Sequence, residues 1–115
     1  FSYCSNDPVG SSEYSKFKAR LQADVGDKFP QYSPVVAEYL YDAVYVVKAM
    51  IEGSKKTDGP SVAAWMEQNA SSVKVVAGEM FASKTNHFMI GASALTMVEN
   101  GDKPRSDGLQ KRSGC

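Results

Sequence analysis

The stretch SPVVAEYLYDAVYVVKAMIEG, residues 33–53, constrains everything else in the chain. Ser33-Pro34 is a strong helix start, a capping hydroxyl followed by proline in the first turn. A helix is predicted from 34 to about 52, with Gly53 as its stop. Val36, Leu40, Val44, Val47 and Ile51 fall on one ridge, and Tyr39, Ala43 and Met50 widen it. An apolar face this broad implies burial on more than one side, so the helix is expected to form the core. Glu38, Asp42 and Lys48 interrupt it, and no window reaches the roughly 18 apolar residues of a membrane span.

The other segments should pack around that helix. In 115 residues there is room for one domain or part of one. Hydrophobic residues make up 43%, which argues against disorder throughout. Thirteen basic residues balance thirteen acidic ones, and this excludes the concentrated basic face that nucleic acid or an anionic membrane would require. Nothing resembles a signal peptide, which says little about location because processing removes one. The opening FSYCSNDP reads as a strand running into a turn, as if the chain were the back end of something larger.

Tyr14, Phe17, Leu21 and Val25 form one stripe, predicting a helix over 12–25 capped at Ser11 or Ser12 and stopped at Gly26. Phe29 and Tyr32 of the following loop are expected to fold back onto the body. Pro60 starts a third, short helix after the Thr57-Asp58-Gly59 cap region. Period-two spacing predicts a strand at 73–77, broken by Gly78, with 79–81 extended and a turn at 84–87. Residues 88–98, FMIGASALTMV, are apolar on both faces and read as a central strand. The tail after it is polar and without periodicity, so something must anchor it.

Cys4 and Cys115 lie at the two ends. Paired, they would close a loop of about 110 residues, worth on the order of 4–5 kcal/mol in the chain-entropy account. Pairing requires an oxidising compartment, and two separate thiols are the alternative. Their spacing fits no zinc motif, and His87 is distant, so no metal site is expected. His87 lacks a Gly-x-Ser-x-Gly elbow or a partnered nucleophile, and a turn residue is the simpler reading. Asp42, inside the apolar helix, must find a tyrosine hydroxyl, a backbone amide or solvent. Tyr39, Tyr41 and Tyr45 do not share one helix face and read as core and rim. Asn69-Ala70-Ser71 matches a glycosylation acceptor, a pattern common by chance. No glycine-rich phosphate loop is present, and no catalytic set emerges. Binding is favoured over catalysis.

The stretch YLYDAVYVVKAMIEGSKKTDGPSVAAWMEQN resembles the C-terminal part of type I periplasmic substrate-binding proteins of ABC importers, in the branched-chain amino-acid-binding group. The resemblance runs through Tyr41-Asp42-Ala43-Val44-Tyr45, Thr57-Asp58-Gly59, the helix Val62 to Asn69, and Val76-Ala77-Gly78-Glu79-Met80-Phe81. It continues through His87, the segment 88–98 and the turn ENGDKP, and covers nearly the whole chain. It implies an α/β fold of two lobes with mostly parallel sheets, joined by three hinge crossings around a ligand. Residues 1–87 would be part of an N-terminal-type lobe, 88–98 a hinge-crossing strand, and 99–115 a tail packing on the other lobe. Tyr3, Ser5, Asn6 and Asp7 would sit near the ligand, where a strand end opens onto the cleft.

The implied function is extracytoplasmic, periplasmic solute binding. An amino acid or a small carboxylic or aromatic acid would bridge the lobes, and the closed form would dock on the membrane permease. No cofactor, metal or nucleic acid enters this reading. The fragment would need the remainder of its protein, or a domain-swapped or dimeric assembly, to cover its exposed surfaces. A sensory or regulatory ligand-binding module of the same fold, without transport, is the alternative. An enzyme built on Cys4 or His87 is a third reading.

Overall fold

The structure is a computed structural model that describes residues 1–91 and 95–115. Its fold is mixed α/β and divides into two units, Phe1–Glu38 with Leu95–Cys115, and Tyr39–Ala94.

In the first unit, β1 (Ser2–Tyr3) pairs in parallel with β5 (Gln110–Arg112), which pairs antiparallel with β4 (Val98–Glu99). The strand order is β1-β5-β4, so the last strand of the chain is the central one. The predicted helix is present as α1, Glu13–Val25. Ser12 caps it, its Oγ accepting from the Ser15 amide at 3.0 Å. Gly26 ends it with a positive φ of 55°, and its N–H donates to the Gln22 carbonyl. The chain then tightens into a 3-10 turn over Gly26–Gln31, where Phe29 is half-buried and Tyr32 exposed. Phe1 stacks on Tyr14 with ring centroids 3.9 Å apart, and Leu109 is the best-buried apolar side chain among the described residues. Burial, and then the charge of Glu38, raises the Tyr14 hydroxyl above its ordinary pKa. The tail is anchored: Cys4 and Cys115 form a disulfide with Cα atoms 5.3 Å apart, and β5 adds a ladder absent from the sequence reading.

Helix α2, Pro34–Ser54, contributes its first turn to the first unit and the rest to the second. It does not stop at Gly53. A Cβ at that position would overlap the indole of Trp65, so the glycine is there for close approach to α3 (Gly59–Asn69). Lys55 takes the left-handed conformation instead, at φ 54°. Asp58 caps α3, its Oδ1 accepting from the Ser61 amide at 3.0 Å. A 3-10 turn at Ala70–Ser72 leads to a hairpin of β2 (Lys74–Val75) and β3 (Gly78–Glu79). Val46, Met66, Ala70, Val73 and Met80 form the core, flanked by Met50, Trp65 and Met89.

Helix α2 presents the opposite face from the one its sequence suggests. Glu38, Asp42 and Val46, spaced by four, are the buried positions. The ridge Val36, Leu40, Val44 and Val47 faces outward, with Leu40 67% exposed. The expected central strand at 88–98 is also not what the described residues adopt. Residues 88–91 make a single bridge, Ile90 to Met80, and β4 occupies only Val98–Glu99. Residues 92–94 of that prediction lie outside the described residues. Phe88, Leu95 and Met97 are exposed, with Met97 at 80%, because no neighbouring strand covers them among the described residues.

Candidate functional site

The four residues expected near a ligand sit on β1 and the turn after it, and the structure ties several of them down. Asp7 closes the turn: its carboxylate accepts from the Cys4 amide at 2.7 Å, and its own amide donates to the Cys4 carbonyl at 2.8 Å. The Ser5 hydroxyl donates to the Cys115 carbonyl at 3.5 Å, and Asn6 is exposed. Tyr3 carries the Arg105 guanidinium 3.9 Å from its ring centroid. Arg105 lies outside the sequence candidates; the signal for it is the RSD stretch of the tail, which sets it two residues from Asp107.

Arg105 and Asp107 organise this corner. The guanidinium grips Asp107 with both faces of its fork, Nε to Oδ1 at 2.9 Å and Nη2 to Oδ2 at 2.8 Å. It also donates to the Asp7 carbonyl at 2.7 Å and the Pro8 carbonyl at 3.5 Å. Asp107 Oδ2 accepts further from the Gly10 amide at 3.0 Å and the Ser15 hydroxyl at 3.2 Å. The Arg105 contact, with the donors from Gly10 and Ser15, holds the Asp107 carboxyl well below the usual carboxylate range despite its burial. With its donors engaged by these four acceptors, Arg105 serves as a clamp between the N-terminal turn and the tail.

The second unit carries the concave surface. Asp42 is buried, and its two oxygens accept from the Val76 and Ala77 amides at 2.9 and 2.8 Å. These are the two residues between β2 and β3, so the carboxylate fixes the hairpin turn. Of the partners open to Asp42, the structure selects backbone amides. Beside it, an apolar groove of about 300 Å³ is lined by Tyr39, Ala43, Val47, Met89 and Ile90 among others. A larger open cleft of about 550 Å³ shares Met80 and Ile90 with that groove. Ser71, Glu79 and Asn86 give the cleft a polar rim, with Phe81 completing its apolar part. Among the described lining residues there is one carboxylate and no cation.

Other sequence candidates have local roles. His87 pairs with Glu67, Nε2 to Oε1 at 2.9 Å. Asn69 donates its side-chain amide to the Trp65 carbonyl at 2.8 Å, so the glycosylation acceptor is engaged inside the helix end. Tyr41 and Tyr45 pack together at 4.7 Å, tilted by 38°. No cluster of three or more His, Cys, Asp or Glu that could hold a metal is found among the described residues. No described helix is long and apolar enough to cross a membrane.

Comparison with known protein families, with curated proteins and with solved structures finds no match for the chain.

Proposed function

We propose that this chain is part of an extracytoplasmic solute-binding protein of two lobes, delivering a small molecule to the permease of an ABC importer. The observation that carries the reading is the cleft of about 550 Å³ with an apolar floor and the polar rim Ser71, Glu79 and Asn86. Its volume is that of a small-molecule site. Glu79 supplies a negative charge, so an amino acid, offering its ammonium group, suits the cleft better than a bare carboxylic acid. Phe81, Met80 and Ile90 would hold the solute's apolar part.

Two further observations support the reading. The Cys4–Cys115 disulfide fits an oxidising compartment. The outward ridge of α2 fits a helix that another layer covers, as the second lobe or the rest of a sheet would. In this mechanism the solute bridges two lobes and shifts them from open to closed, and the permease reads the closed form. Tyr3, Ser5, Asn6 and Asp7, on a hinge-proximal strand end, are the ligand-proximal residues of this scheme.

Calorimetric titration of the intact protein carrying this sequence, against amino acids and small aromatic acids, tests the proposal. Saturable binding of an amino acid is expected, weakened about tenfold or more by Glu79→Gln through loss of a charge-assisted bond. Absence of binding to every solute, or binding indifferent to Glu79, would overturn it.

A further inference from the structure

We propose that the second unit holds a soft-metal site, built from Met50, Met66, Met89 and His87, for a monovalent ion of the cuprous class. Three of the chain's five methionines and its single histidine line one small pocket of about 120 Å³. They come from three places in the chain: Met50 from α2, Met66 from α3, and His87 with Met89 from the end of the 84–87 turn and the residues just after it. Ala63, Glu67 and Ala82 line the rest of the wall.

The donor set points to one class of ion. Thioether sulfur is a soft, neutral ligand that suits a soft monovalent metal, whereas magnesium and calcium require hard oxygen donors. Zinc sites are built from thiolate, imidazole and carboxylate rather than from several thioethers. The one carboxylate among the described lining residues, Glu67, is already turned to the histidine, Oε1 to Nε2 at 2.9 Å. In the neutral tautomer that donates Nε2–H to Glu67, Nδ1 would keep the lone pair a metal needs. A carboxylate holding the far nitrogen of a metal-binding imidazole is the usual supporting arrangement. Met66 is buried while the His87 side chain is 58% exposed, which puts the imidazole at the mouth and a thioether at the base.

Methionine also serves as a flexible filler of irregular cores, and three thioethers in one pocket would then bind nothing. Silver(I) separates the two cases. It mimics the cuprous ion without needing a reductant, so the Cys4–Cys115 bond stays intact and no thiol competes. The oxidised full chain is titrated with silver nitrate in chloride-free buffer and followed by methionine-methyl NMR. One equivalent should shift the methyls of Met50, Met66 and Met89, leaving that of the exposed Met97 unmoved. His87→Ala should weaken binding at least tenfold. Met50→Leu/Met89→Leu should abolish it while the melting temperature stays close to that of the parent, because the swap conserves volume. Zinc(II) should leave the same methyls unshifted.

Binding weaker than micromolar, shifts led by Met97, equal affinity for zinc(II), or silver binding untouched by these variants would each refute the site. If the double variant unfolds, Met89→Leu alone decides it: a half-buried position where silver affinity must fall with the fold retained.

Discussion

The two units are held together by different physics. The first has few buried apolar side chains, chiefly Tyr14 and Leu109, and is tied across the sequence by the disulfide, the β1–β5 ladder and the Arg105–Asp107 clamp. The second has no disulfide and packs a continuous cluster from Val46 to Met89 against Trp65, with the Asp42 carboxylate fixing its hairpin. A thin core needs covalent and charged links, whereas a filled core does not. The first unit should therefore follow redox state and pH, and the second should follow packing and buried hydrogen bonds. The single tryptophan, Trp65, lies in the second unit and serves as its fluorescence probe.

Reduction is the largest test of that contrast. Opening a link between residues 111 apart should remove about 4–5 kcal/mol from the first unit. Hydrogen exchange of the α1 amides should accelerate strongly on adding reductant, while Trp65 fluorescence in urea changes far less. Parallel loss of both signals would show that the units do not differ in this way.

In the second unit the corresponding weak point is Asp42. Asp42→Ala strands two turn amides and should cost about 2–3 kcal/mol, with Asp42→Asn intermediate because it keeps one acceptor. Urea denaturation followed by Trp65 fluorescence measures it. A change below about 0.5 kcal/mol would mean that the hairpin stands without the carboxylate.

Acid should act on the first unit through Asp107. Its folded pKa lies below the unfolded value, so the stability it confers is present above about pH 4 and is lost as pH falls through the folded value. The α1 signal should melt roughly 5 °C earlier at the acid end, and Asp107→Asn should flatten that dependence. An acid-insensitive α1, or an Asp107→Asn variant with the parental pH profile, would remove the clamp from the account.

Much of the architecture was legible where local chemistry decides it. Ser12, Asp58 and Gly26 mark helix ends because capping needs only neighbouring atoms. The two cysteines and the unanchored tail favour a Cys4–Cys115 link but leave two separate thiols open, and the structure forms the link. Gly53 was misleading because a helix stop and a close helix crossing both call for a missing Cβ, and only the position of Trp65 distinguishes them. Arg105 and Asp107 carry no local signal of their role, because Asp107 bonds to Gly10 and Ser15, 97 and 92 residues away, and Arg105 to Asp7 and Pro8, 98 and 97 residues away. The inner face of α2 is the feature least legible in the sequence. A helix apolar almost all round does not reveal which side turns inward, and the hairpin's demand for an acceptor turns Asp42 in.

The outward ridge of α2 yields the smallest predicted effect. Leu40 lies on the outward ridge of α2, opposite Asp42, and is mostly exposed. If the ridge is bare in the chain alone, Leu40→Gln removes little buried area and should change stability by less than about 0.5 kcal/mol. The same helix would then tolerate a polar residue at 40 and not a truncation at 42, an inversion of the usual rule for apolar and charged positions. Comparing the urea midpoints of Leu40→Gln and Asp42→Ala at equal protein concentration checks this directly. A loss of about 2 kcal/mol or more at Leu40 is the cost expected for a buried leucine. It would mean that the ridge is covered in solution, and that α2 is stabilised by contacts on both faces.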